Sequence, residues 1–444
     1  MQLYSRKMRA WVDPADVFAT LYAQDRKSYW LDRENHPTAR FSVMGHAHQG
    51  RVLDATEVLE RLETETGSFD LEQEEPPFTW RPGFVGWFDY LPGELGQIDI
   101  SGKWVEAREA VVFDHDAKAI WFTGVFKDSE HFDEWVRAVM LRLALSGGQS
   151  IGYRQRNPRS AAPKLVSLAH SPAAYQDLIR KAQQHIAAGD VYQLCLTNRL
   201  EFVHQDDPLA VYLNLRLQNP APYSAYFRFD EKALVSSSPE QFLSVDAAGR
   251  VSTKPIKGTR RRSADPGEDA AIAAELAGNL KERAENLMIV DLMRNDLGRV
   301  SEVDTVVVEK LFDVEQYATV HQLVSTITAQ LRPKTSVREL LAAAFPGGSM
   351  TGAPKVRAMQ LIAQLEGVGR GAYSGVAGYL ALDGSLDLGM TIRSLVFNGD
   401  KVSLGVGGGI TIDSDPAEEL AETELKAQAL LKVLGADNPW QLAW

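Results

Sequence analysis

The chain has 444 residues, 45% hydrophobic and 24% charged, with a net charge of −12. That is ordinary globular composition, long enough for two or three domains, and its acidity argues against bulk nucleic-acid binding. No apolar run reaches the roughly 18 residues of a membrane span, the opening MQLYSRKMRAWVDPADVF lacks a secretory pattern, and one cysteine, Cys195, excludes a disulfide framework; a cytoplasmic protein off the membrane is expected.

FTWRPGFVGWFDYLPGELG and EAVVFDHDAKAIWFTGVF read as strands and turns. GGQSIGYRQRNPRSAAPK (147–164) is rich in Gly, Ser, Pro and Arg and reads as a loop or boundary, separating an N-terminal region, 1–150, from a region 165–436. A helix is expected over 172–188, capped by Ser171, with Pro172 in its first turn and Gly189 at its exit. Its apolar face is Tyr175, Leu178, Ile179, Ala182 and Ile186. VYQLCLTNRLEF then alternates, with Tyr192, Leu194, Leu196, Leu200 and Phe202 on one face and Gln193, Cys195 and Thr197 on the other. Further on, a long helix is expected over 268–297, strands over 300–311 and 320–331, and a helix over 354–366. Strands near 373–382, 387–397 and 401–407 precede a last helix over 416–434. Runs of strands separated by helices predict an α+β fold.

Several stretches carry chemistry. In PIKGT, Lys257 stands beside Lys254 and Arg260 to Arg262. It reads as a solvated loop charge or as a nucleophile whose proton is loosened by crowded cations. FPGGSMTGAPK has the glycine spacing of a phosphate loop, but Ala353 stands where the lysine must be; it reads as a turn or as an anion site at a helix start. GVGGGI (405–410) is followed by Asp413 to Pro416, the wrong architecture for a dinucleotide turn, though its glycines suit close approach of a ligand. Glu419 and Glu422 share a helical face with Lys426 one turn on. They read as a solvated acidic face or, with Glu285, as oxygen donors for Mg²⁺. Asp291, Arg294 and Asp296 read as a charged structural network, and no His or Cys spacing suits zinc.

Taken together, GDVYQLCLTNR, SSSPEQF, PIKGT, AENLMIVDLMRNDLGRV, FPGGSMTGAPKVRAM, RGAYSGVAGY, IRSL and GGGITIDSDPAEELAETELKA resemble, in order and over about 171–433, the chorismate-binding enzyme family. The N-terminal third resembles it only through ARFSVMG and FVGWFDY. The resemblance implies the fold of anthranilate synthase component I: two subdomains with large antiparallel sheets packed together and helices outside. It also implies a cleft that binds chorismate with Mg²⁺. In branches that hydrate C2 a lysine occupies the position of Gln193, whose neutral amide cannot act as that base. The branch that makes anthranilate has alanine where Lys257 stands. Lysine there belongs to the branch that converts chorismate and ammonia into 4-amino-4-deoxychorismate, toward para-aminobenzoate and folate. That enzyme is the expected activity, with the anthranilate-forming branch and a non-catalytic chorismate-binding subunit as alternatives.

By the same resemblance Lys257 attacks C2 and Glu240 donates a proton to the departing C4 hydroxyl. Glu285, Glu419 and Glu422 hold Mg²⁺. Gln193, Ser349, Tyr373, Arg393, Gly407, Gly408 and Lys426 bind substrate. The neighbouring cations and the metal are expected to lower the affinity of Lys257 for its proton. Cys195 lies mid-strand rather than on a nucleophile turn, so ammonia is expected from a separate glutaminase subunit. Two departures stand out. The family often has histidine where Gln322 stands, with His321 one place early and facing the other way. Some relatives hold tryptophan with an N-terminal serine, where this chain has Arg33, which argues against such a site.

Overall fold

Side-chain caps start several helices, Ser171 as expected. Ser171 accepts from the Ala174 N–H to start the helix Pro172–Ala187. Asp415 accepts from Ala417 and Glu418 to start Pro416–Leu434, which ends at Gly435 with φ 72°. The helix expected over 268–297 is two helices, Pro266–Gly278 and Leu280–Gly298. Asn279 separates them. Its backbone is extended, and its side chain accepts from the Glu282 N–H, so it closes one helix and caps the next.

The computed structural model describes residues 2–65, 67, 69–71, 76–90, 100–159 and 163–441, so part of the tract ending GELG lies outside the described residues. Where the 147–164 loop was expected there is a helix, Gln149–Arg156. Its start is capped from elsewhere: Asp16 accepts from the N–H groups of Gly148 and Ser150, each at 2.8 Å. The strand expected over 300–311 lies at Val307–Gln316. The one expected over 387–397 is two, Leu386–Met390 and Ser394–Asn398, broken where Arg393 takes a left-handed φ of 50°. Helices Pro208–Gln218 and Val337–Ala344 had no expectation in the sequence. Tyr192, expected on the buried face, precedes the strand Gln193–Val203 and is 72% exposed.

Two large sheets organise the α+β fold. In the first, the strand Gln193–Val203 pairs with the glycine-rich strand Lys401–Ile410. The sheet continues through Ser394–Asn398, Lys232–Ser238 and Tyr223–Phe229 into the N-terminal strands Lys27–Asp32 and Phe41–His46. In the second, Ile256–Arg261 lies at one end beside Val320–Gln330. Further along, Gly371–Ala381 pairs with the N-terminal strand Gly83–Tyr90. Both sheets therefore cross the boundary between 1–150 and 165–436. Apart from a short parallel pairing of Gln2–Met8 with Asp70–Leu71, the named pairings are antiparallel. Aromatic side chains from both regions seal the space between the sheets: Trp87 stacks on Phe229 with ring centres 5.1 Å apart. A second core lies between the first sheet and the helices Pro172–Ala187, Pro208–Gln218 and Pro416–Leu434.

This topology makes the 165–436 segment dependent on the N-terminal strands. Expressed alone, it would expose the edges of Tyr223–Phe229 and Gly371–Ala381 and the apolar faces beside them. The isolated segment is expected to aggregate or to bind an apolar dye such as ANS. A monomeric fragment with native near-UV circular dichroism would contradict this.

Candidate active site

A cleft of about 870 Å³ opens between the ends of the two sheets, closed on one side by the helices Leu280–Gly298 and Pro416–Leu434. It is lined by Glu240, Lys257, Glu285, Ser349, Tyr373, Arg393, Gly407, Gly408, Glu419, Glu422 and Lys426. Eleven of the twelve residues singled out in the sequence thus face one space, although they come from eight separate elements or loops. Gln193 is the exception. It is buried beside the glycine strand, where a Cβ built on Gly409 would lie 2.2 Å from its Nε2 and 3.2 Å from Lys257 Nζ.

Lys257 enters from the strand Ile256–Arg261. The pairing with Val320–Gln330 slips between Lys257 and Thr259, where Gly258 has φ +78°. Such a slip re-aims neighbouring side chains, and a Cβ on Gly258 would press within 3 Å of Leu276 and Glu282. Lys257 Nζ lies 3.5 Å from Glu285 Oε2. Burial disfavours its charge, but Glu285, Cys195 and Glu240 outweigh burial and raise its pKa above the ordinary lysine value. The expectation that nearby cations loosen its proton is therefore corrected. Those cations are engaged elsewhere: Arg260 with Glu275 and Glu282, Arg262 with Asp269, and Lys254 with Glu315.

Glu240 is 6% exposed, and burial pushes its pKa up to about 7 against the opposing pull of Ser349, Lys257 and Arg393. Such a group holds a proton near neutrality, as a general acid must. Arg393 is desolvated and makes no ion pair or hydrogen bond with the described residues through its guanidinium. Its left-handed backbone is held by Ser237, whose N–H and Oγ–H both donate to the Arg393 carbonyl. A desolvated guanidinium with open donors suits a carboxylate. The Tyr373 ring lies on the glycine strand, where a Cβ on Gly405 would stand 2.2 Å from it. Lys426 Nζ donates to the Gly407 carbonyl at 3.0 Å and pairs with Glu422 at 2.7 Å.

The three glutamates lie along one wall. Glu419 accepts from Ser414 Oγ at 2.7 Å and has Lys281 Nζ at 3.7 Å. Its pKa is raised, by burial first and by the charge of Glu422. Among the described residues no three His, Cys, Asp or Glu side chains stand close enough to hold a metal ion. Each glutamate instead has an ammonium partner: Lys257, Lys281 or Lys426. The donor chemistry fits a hard cation, since the repulsion felt at Glu419 is what a divalent ion relieves. Lys281 was missed in the sequence reading, although it lies one helical turn before Glu285 and could have been found from that spacing.

Other expectations resolve locally. Gln322 lines the cleft, with its Oε1 buried and unpartnered and its Nε2 donating to Thr259 at 3.4 Å. His321 turns away and meets Asp269 at 2.8 Å. Arg33 is buried, stacked 4.2 Å over the Tyr223 ring and paired with Asp387 at 3.2 Å. The expected network of Asp291, Arg294 and Asp296 is two separate pairs. Arg294 meets Asp291 on the surface at 3.0 Å, whereas Asp296 holds Lys355 in the interior at 2.5 Å. Burial raises the pKa of Cys195, so it stays a thiol.

The family model described as chorismate binding enzyme matches residues 19–432, and the chain belongs to that family. It is 41% identical to the aminodeoxychorismate synthase of Streptomyces griseus, over 96% of this chain and 63% of that protein. It is 46% identical to aminodeoxychorismate synthase component 1 of Escherichia coli strain K12, over 59% of this chain and 57% of that one. The chain thus spans somewhat less than two thirds of these relatives. Its fold resembles the crystal structure of anthranilate synthase component I from Streptococcus pneumoniae TIGR4, with a TM-score of 0.72 and 26% identity over 92% of this chain and 90% of that one.

The raised Glu240 predicts a pH signature in stability. Its folded pKa, about 7, exceeds its ordinary value of 4.5, so the folded state binds the proton more tightly. That contribution is present in full below pH 4.5 and is lost as pH rises toward 7, by about 3 kcal/mol at ~1.4 kcal/mol per unit. Relative to Glu240→Gln, the wild type is expected to lose stability across that window in thermal or urea melts. A difference that stays constant from pH 4.5 to 8 would refute the assignment.

Proposed function

We propose that this protein converts chorismate and ammonia into 4-amino-4-deoxychorismate, a precursor of para-aminobenzoate in folate synthesis. The observation that carries the reading is Lys257 beside Glu240 in a cleft with an uncommitted arginine. A buried amine facing an acid that is half protonated near neutrality suits substitution with loss of a hydroxyl. The names of the Streptomyces griseus and Escherichia coli relatives support the same reading.

In this mechanism Arg393 and Lys426 receive substrate carboxylates, and Ser349, Tyr373 and the backbone of Gly407 and Gly408 orient the ring. Lys257 first gives up its proton to solvent, and its neutral amine then forms a bond to C2. The double bond shifts, the C4–O bond breaks, and Glu240 protonates the departing oxygen so that water leaves. Ammonia then bonds to C4, the C2–N bond breaks, and Lys257 is released. Two such displacements put nitrogen on C4, where a single one puts it on C2. Glu285, Glu419 and Glu422 are the proposed holders of Mg²⁺. When bound, the ion would polarise the ring carboxylate and engage the charge of Glu285 that otherwise keeps Lys257 protonated. Gln193, whose Nε2 lies beside Gly409 on the side of Lys257, is a neutral amide and does not act as a base.

Ammonia is proposed to come from a separate glutamine-hydrolysing subunit, a division supported by the words "component 1" in the name of the Escherichia coli relative. A cytoplasmic setting is part of the same reading; no described helix is long and apolar enough to cross a membrane.

Incubation with chorismate, Mg²⁺ and ammonium salt, followed by chromatography of products, tests the assignment. The para amine is expected; anthranilate alone would place the chain in the ortho-forming branch, and no consumption would leave a binding subunit. Lys257→Ala is expected to cut the para product by at least about a hundredfold and to shift residual product toward C2 amination. Enzyme quenched with chorismate and Mg²⁺ but no ammonia is expected to carry an adduct on the peptide containing Lys257. Para product formed by the alanine variant at the wild-type rate would end the covalent mechanism.

Glu285→Gln and Glu422→Gln each remove one charged oxygen donor. Both are expected to fold normally and to show near-complete loss of turnover at limiting Mg²⁺. Wild-type activity of either under those conditions would overturn its place among the ligands.

A further inference from the structure

Behind the cleft, outside its lining, lies a buried guanidinium. The Arg370 side chain is 3% exposed and its partner Glu366 2%. Arg370 donates through Nε and Nη2 to the two oxygens of Glu366, at 2.9 and 2.6 Å. Its remaining donors leave this pair. Nη1 donates to the Met350 carbonyl at 2.7 Å, and Nη2 to the Cys195 carbonyl at 2.8 Å. Ser374 Oγ is a weaker acceptor at 3.4 Å. Glu366 in turn accepts from the N–H and the hydroxyl of Thr197, at 2.8 and 2.9 Å.

These contacts follow a pattern. Met350 follows Ser349, Ser374 follows Tyr373, and Cys195 lies two residues from Gln193. Met350 and Cys195 themselves line the cleft. The three segments belong to the Gly348–Met350 turn, the strand Gly371–Ala381 and the strand Gln193–Val203. Another buried pair, Lys355 with Asp296, reaches one further carbonyl, that of Ala344, which is not part of the cleft. A planar fork with five donors can register several chain segments at once, which an ammonium cannot. For stability alone, a buried ion pair is often no better than apolar packing.

We propose that Arg370, backed by Glu366, is a positioning residue for the cleft, holding the wall segments that carry Ser349, Tyr373 and Gln193 in register with one another. Its effect on the reaction rests on the function proposed above. Ser349, Lys257 and Arg393 pull the proton affinity of Glu240 down against burial, and Lys257 and Arg393 are the charged groups that face it. Loosening the Gly348–Met350 turn would weaken the pull of Ser349.

Arg370→Lys keeps the charge and loses the fork. With near-UV circular dichroism unchanged, kcat with chorismate, Mg²⁺ and ammonium is expected to fall at least about tenfold, since a displacement of ~1 Å can cost about a hundredfold. KM is expected to stay within about threefold, and the alkaline limb of the pH–rate profile to move upward. A purely structural loss would not move that limb. Thr197→Val, which removes one bond to Glu366 and no charge, should act in the same direction with smaller size, and it decides the matter if Arg370→Lys does not fold. A second readout needs no turnover. Cys195 is the sole cysteine, so its labelling by a thiol reagent reports the wall directly, and at least about tenfold faster labelling is expected in the folded variant. A wild type inert toward chorismate would defeat the proposed function only, and Cys195 labelling would then settle the positioning role. Unchanged kinetics and unchanged labelling in the folded variants would overturn it.

Discussion

The contact on which the cleft depends is that between Lys257 and Glu285, 3.5 Å apart on a strand and a helix from different parts of the chain. Taking either charge from water alone would be costly, and burial by itself would drive the lysine toward neutrality. At about 4 Å, opposite charges attract by on the order of 4 kcal/mol at an effective dielectric near 20, enough to reverse that tendency. The amine is therefore stored as a cation beside the carboxylate that opposes its reactivity. Its state depends on what else engages Glu285, so the nucleophile and the acidic wall form one electrostatic unit.

The same rule orders the rest of the cleft. Lys281 lies beside Glu419 and Lys426 beside Glu422, and Arg260 and Arg262 pair with Glu275, Glu282 and Asp269. Against this background Glu240 and Arg393 differ. Glu240 is pushed toward its neutral form by burial, and Arg393 keeps its donors uncommitted among the described residues. An acid ready to give a proton and a cation ready to take a carboxylate thus stand in a space whose three wall glutamates each have an ammonium partner. That arrangement suits a dicarboxylate that loses a hydroxyl.

Holding these groups in place falls to the sheets. The first sheet supplies the glycine strand, whose missing side chains admit Tyr373, the Gln193 amide and the cleft itself. The second supplies Lys257 from its edge, and both are completed by N-terminal strands that contribute none of the candidate residues. The N-terminal region thereby acts on the site through packing, as the stacking of Trp87 on Phe229 illustrates.

Local chemistry by itself determined much of this protein. Ser171, Pro172 and Asp415 set helix ends because caps act within a few residues. Alternation placed Gln193 and Cys195 opposite Leu194 and Leu196, because strand side chains alternate over any fold. The resemblance carried by short contiguous motifs singled out Lys257, Glu240 and the three glutamates, which the fold brings to one cleft. What only the tertiary structure decided depends on residues far apart in the chain. Asp16 caps a helix where the sequence reads as a loop, and Arg393 breaks a strand that reads as continuous. The charge state of Lys257 was misread for the same reason. Sequence neighbours suggested a crowd of cations, whereas folding turned those cations toward Glu275, Glu282 and Asp269 and brought Glu285 to the amine. Electrostatic environment is set by distance in space, and on a strand the nearest neighbours in sequence point away.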